Sequence, residues 1–141
     1  MSDNSRSQRW LITAILAGVV YLAVAMISGI LAGAAASDQM RFFWRLSAFV
    51  ISAVVFAAHI AHEHFRFRSP PRATAWHTAL GVAVGAVALA VAANIHDLGS
   101  PTGYRPRMLV ALVAWPLLTA VPAFIVALVV AVGLGVKRLR V

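Results

Sequence analysis

Three long stretches without a fixed charge constrain this chain more than any other feature. They run for 28 residues from Trp10 to Ser37, 24 from Ala73 to His96 and 29 from Met108 to Val136. A helix rises about 1.5 Å per residue, so each stretch can cross a hydrocarbon layer about 30 Å thick. A charge at the centre of such a layer costs roughly 2.5–3.5 kcal/mol even on lenient insertion scales, which makes the intervals between charges a direct guide to spans. A fourth interval is shorter: 17 residues separate Arg45 from Glu63, and His59 and His62 fall among them. That span is expected to recruit Phe42, Phe43 and Trp44 at one end and Phe65 at the other, with Arg45 extending its guanidinium toward the headgroups.

The expected architecture is all-α: an integral membrane, antiparallel four-transmembrane-helix bundle with short loops, forming a single domain over 1–141. Its helices are placed at about 10–35, 42–65, 73–95 and 107–136, with sequential helices as neighbours. Composition agrees, since 62% of the residues are hydrophobic and only 11% charged. Four spans leave no room for a separate soluble domain. Cysteine is absent, which excludes disulfides, thiolate catalysis and Cys-bound metal centres. An Ala- and Val-rich chain with eleven Arg to one Lys fits a GC-rich bacterial gene and hence a bacterial inner (plasma) membrane. The first apolar run, followed by Ala34-Ala35-Ala36, also resembles a signal peptide, but it exceeds the usual 7–15-residue signal core of such peptides, so a retained helix is expected.

Basic residues set the orientation. Arg6, Arg9, Arg66, Arg68, Arg72, Lys137, Arg138 and Arg140 would share one side, against Arg41, Arg45, Arg105 and Arg107 on the other. The positive-inside rule then puts both termini in the cytoplasm. Trp10 and Trp76 fall at the inner interface and Trp44 and Tyr104 at the outer one, the level that amphipathic rings favour. The net charge of +8 is dispersed over tail, loops and C-terminus, which speaks for anionic headgroups on the cytoplasmic side as the partner and against nucleic acid.

Close helix packing in lipid requires small side chains, and two GxxxG pairs supply them: Gly29 with Gly33, and Gly81 with Gly85. The first lies in the outer half of span one and the second in the inner half of span three. They therefore cannot pair with each other, and each is expected to open its own groove, one for a helix of this chain and one for a second copy or another subunit. Pro116 and Pro122 remove helical hydrogen bonds from span four and are expected to kink it.

Chemistry concentrates at the inner end of span two. His59, His62 and Glu63 share a helix face as i, i+3 and i+4, while His64 points elsewhere. Ser69-Pro70-Pro71 forces a turn that returns His77 to the same depth. His59, His62, Glu63 and His77 thus form a candidate metal or haem set, although no established motif has this spacing. His96, with Asn94 and Asp97, ends span three about 28 Å away and is expected to cap the helix and contact the outer loop. No ionisable group lies deep in spans one, three or four, which argues against a small multidrug antiporter. No catalytic residue set and no phosphate-binding loop is present. A structural or accessory, self-associating membrane subunit without enzymatic activity is the leading expectation. A metal- or haem-binding redox protein comes second, and a small-solute or proton conduit third.

Overall fold

The computed structural model describes residues 3–99 and 107–138. Among these described residues there are four α-helices: α1 (Asp3–Gly33), α2 (Asp38–Phe65), α3 (Pro71–Leu98) and α4 (Arg107–Arg138). Each contains a segment of 26 to 28 residues long and apolar enough to cross a membrane. Tyr104, Arg105 and Arg140 lie outside the described residues.

Local chemistry fixes the helix ends. At the start of α2 the Ser37 hydroxyl accepts from the Met40 amide at 3.2 Å, satisfying one of the orphan donors of the first turn. Asp38 follows in that turn and pairs with Arg41 at 3.0 Å. The cap places the start of α2 four residues earlier than the charge intervals suggest, so Phe42, Phe43 and Trp44 lie inside the helix. At its other end the Arg66 amide donates to the His62 carbonyl at 2.9 Å, and Arg68 takes a left-handed conformation, φ 51°. Pro70 and Pro71 then open α3, with proline in the first turn where no amide donor is needed. Pro116 and Pro122 both sit inside α4, which continues unbroken across them.

The other helices assemble around α3: 39% of its most apolar window is buried, against 11% for α2. It packs extensively on α4 and on α1, whereas α2 lies mainly on α1 and touches α3 only at restricted points, although the two are consecutive. Sequential order therefore does not decide all the neighbours. The seam between α1 and α3 is built on glycines packed against the facing backbone and against Val84 and Tyr21. A Cβ on Gly18 would lie 2.6 Å from Val84 Cγ1 and 3.1 Å from the Gly81 carbonyl oxygen. One on Gly85 would lie 2.9 Å from Tyr21 Cβ and 3.0 Å from the Gly18 carbonyl oxygen. Gly18 of α1 is thus the counterpart of the Gly81–Gly85 pair, and the backbones approach closely because none of the three carries a side chain.

The distribution of residue types is the reverse of a soluble core. Among the described residues, the buried hydrophobic residues apart from Ile60 are all alanines, and the largest completely buried side chains are Glu63, Thr74 and Thr78. Leu, Ile, Val and Phe cover the outside, with Phe49 at 74% exposure, Leu118 at 68% and Ile30 at 67%. One compact apolar cluster joins α2, α3 and α4, where Ile60, Ala75 and Ala127 pack with Phe56, Phe124 and Leu128.

Candidate functional site

Among the described residues, five of the eight buried polar side chains, His59, Glu63, His64, Thr74 and Thr78, lie where the end of α2 meets the start of α3; Ser28, Asn94 and Asp97 lie elsewhere. Glu63 is completely buried, and His77 Nδ1 lies 2.9 Å from its Oε2. The Ser69 hydroxyl donates to the same oxygen at 3.3 Å, and the Ser69 amide donates to the Glu63 carbonyl at 3.4 Å. Trp10 of α1 stacks flat on the His77 ring, with centroids 4.3 Å apart and planes inclined by 5°. One histidine thereby ties three helices together: it is carried by α3, bonded to α2 and covered by α1. Thr74 and Thr78 line the buried side of α3, each hydroxyl returning its proton to the backbone, Thr78 to the Thr74 carbonyl at 2.8 Å and Thr74 to the Ser69 carbonyl at 3.5 Å.

His59 lies one helical turn before Glu63 and is buried against Gly81. A Cβ on Gly81 would stand 3.1 Å from His59 Cε1 and 3.2 Å from the Ala14 carbonyl oxygen. The glycine therefore accommodates an imidazole ring as well as the close approach of α1. Both ring nitrogens of His59, both of His64 and Glu63 Oε1 are buried without a hydrogen-bond partner. Unpaired polar atoms of this kind are costly and uncommon in folded proteins, and they make this cluster the most chemically distinctive part of the molecule.

The four residues of the candidate metal set do not form a common shell. Glu63 and His77 are directly bonded, and His59 is buried one turn away. His62 is exposed, and its ring meets Phe67 edge-on at 5.2 Å. His64, expected to point elsewhere, is the buried one at 6% exposure. Among the described residues no three His, Asp or Glu side chains are arranged to hold a metal ion. The buried stripe of α2 is His59, Ile60, Glu63 and His64, an i, i+1, i+4, i+5 arc that leaves position 62 outside.

The two glycine pairs also separate. Gly81 and Gly85 are enclosed by α1 and α2, whereas a Cβ on Gly29 or Gly33 would meet nothing within 4 Å. Gly29 and Gly33 border an open cleft of about 570 Å³ between α1 and α2, together with Ser28, Ala32, Arg41 and Arg45. At the far end of α3, Asn94 donates to the Ala90 carbonyl at 2.9 Å and to the Met108 carbonyl at 3.0 Å. It therefore links α3 to the start of α4 from within the helix, which continues to Leu98; the outer loop that it was expected to contact, residues 100–106, lies outside the described residues.

The fold and the cluster together define a class: an all-α, four-helix chain whose helices all have the length and apolarity of membrane spans, with an ionisable pair at one end. No protein-family model, curated protein or solved structure matches the chain.

Proposed function

We propose that this chain is an integral protein of the bacterial plasma membrane, with four antiparallel spans and both termini in the cytoplasm. We propose further that it acts as a structural or accessory subunit that associates with itself or with other membrane proteins. The apolar exterior and small-residue interior support insertion, because lipid solvates Leu, Ile and Val while close helix packing favours Ala and Gly. The two-to-one bias of basic residues supports the orientation. A cysteine replacing Arg72 would be labelled from the cytoplasmic side only, and one replacing Gln39 from the outside only. Labelling of both from one side would refute the topology.

The observation that carries the associating role is the open Gly29–Gly33 face. The other glycine pair is consumed inside the chain, while this one leaves a helix surface of small residues free for a second helix. Energy transfer between two differently labelled populations in liposomes measures association. Gly29→Leu combined with Gly33→Leu should abolish the transfer and leave the helical content intact. Undiminished transfer in the double variant would overturn the role given to this face.

A proton conduit is the second reading, and one observation favours it: buried, unpartnered polar atoms occur on His59, on Glu63 and on the Tyr21 hydroxyl, at more than one depth along the bundle. Proton flux into proteoliposomes that is lost in His59→Ala would support this reading over the first. Absence of flux in the unmodified protein would remove it.

A further inference from the structure

His62, released from the buried cluster, lies instead in a groove with two arginines. The groove, of about 260 Å³, is lined by Arg9, Ile12 and Thr13 of α1 and by His62, Arg66 and Phe67 at the end of α2. The two arginines come from different elements and both line the one depression. Among the described residues neither has an ion pair: the ion pairs present are Asp38 with Arg41 and Glu63 with His77. Glu63, the carboxylate nearest in sequence to Arg66, is buried and already bonded to His77 and Ser69. Two like charges held in one groove repel, and an anion between them converts that repulsion into two attractions.

Apolar surface lies beside the charges. Ile12 is 56% exposed, and Phe67 turns back so that the His62 ring meets it edge-on. The backbone holds this return in place through the Arg66 amide bond to the His62 carbonyl and the left-handed turn at Arg68. Because Trp10 and Glu63 both touch His77, Arg9 and Arg66 must lie at the same end of the molecule. A groove lined by both cationic and apolar side chains matches a phosphate joined to a hydrocarbon chain. A free phosphate would leave Ile12 and Phe67 uncovered.

We propose that the Arg9–His62–Arg66 groove is a binding site for the phosphate headgroup of one anionic phospholipid, whose acyl chain covers Ile12 and Phe67. This rests on the reading of the chain as a membrane protein, and it adds to that reading a defined site where dispersed charge alone would give only general attraction to an anionic leaflet. The two arginines hold the phosphate by charge-assisted hydrogen bonds, and the His62 ring provides one further donor.

The test uses the full chain in nanodiscs of phosphatidylcholine containing a minor fraction of phosphatidylglycerol, with retained lipid identified by native mass spectrometry. One phosphatidylglycerol per chain should be retained. Retention should weaken about fivefold in Arg9→Gln or Arg66→Gln and about thirtyfold in the double variant, if each near-surface charge contributes on the order of 1 kcal/mol. Arg72→Gln, which removes an exposed charge outside the groove, should leave retention unchanged. Equal losses in Arg72→Gln and the groove variants would show diffuse attraction and overturn the site. Displacement of the lipid by inorganic phosphate at equal concentration would show a soluble-phosphate site and overturn the choice of lipid. Carbonate extraction of native membranes separates the two levels of the argument: a chain released by carbonate refutes the membrane reading. A chain that stays in the membrane but retains no phosphatidylglycerol refutes the site alone.

Discussion

Alanine at position 85 would place a methyl carbon 2.9 Å from Tyr21 Cβ and 3.0 Å from the Gly18 carbonyl oxygen. Neither neighbour can swing away, since one is backbone and the other is the first atom of its side chain. α1 and α3 must therefore move apart by several tenths of an ångström. Overpacking of this kind costs about 1–3 kcal/mol, and the better helix propensity of alanine returns about 1 kcal/mol. The net effect is a loss of up to about 2 kcal/mol. The same change at Gly29 meets nothing within 4 Å, so only the propensity gain remains, about 0.5–1 kcal/mol of stabilisation. Two substitutions identical in chemistry and in motif should thus have opposite signs. Thermal unfolding of the purified protein in a mild detergent, followed by circular dichroism, would show Gly85→Ala below and Gly29→Ala at or above the unmodified chain. Equal shifts in the same direction would refute the assignment of the two glycine pairs to inner and outer faces.

Other outcomes follow from the same contacts. Truncating His77 to alanine strands the buried Glu63 carboxylate with only Ser69, and should cost about 3–5 kcal/mol in the same unfolding assay. Combining it with Glu63→Gln, which removes the stranded charge, should recover part of that loss, and strict additivity would argue against the pair. Ser37→Ala should cost about 1 kcal/mol through loss of the α2 cap. Asp38→Asn, at a nearly fully exposed side chain, should leave the unfolding midpoint unchanged within error. Protein purified gently from its membrane should show neither a Soret band nor stoichiometric metal by elemental analysis. A band lost in His59→Ala or His77→Ala would revive the metal or haem reading.

Much of this architecture was legible in the sequence because charge is costly in an apolar span and its intervals are easily counted. Each of the four helices covers one of those intervals, and α2 contains Phe42, Phe43 and Trp44. Helix ends were less legible: the Ser37 cap and the extension of α1 back to Asp3 depend on local hydrogen bonding and not on hydropathy. In the candidate site the pairing of Glu63 with His77 follows from the turn at Ser69-Pro70-Pro71. The choice between His62 and His64 does not, because the i, i+3, i+4 face (59, 62, 63) and the i, i+4, i+5 face (59, 63, 64) both contain His59 and Glu63, and spacing alone does not choose between them. Gly18 was missed for a related reason. It belongs to no GxxxG pair, but Ala14 and Gly18 form the broader small-xxx-small pattern that would have identified it.

Glu63 precedes His77 by 14 residues, and this order bears on how the chain is made. In the proposed membrane setting the end of the second helix emerges toward the bilayer ahead of the histidine that bonds its carboxylate. A lone carboxylate has no stable place in the apolar layer, so the end of α2 stays in the headgroup region until α3 arrives. The second and third helices are therefore committed together, as one hairpin closed by the Glu63–His77 bond. Trp10, already in place on the first helix, then closes over His77 and marks the point at which three separate spans become one molecule.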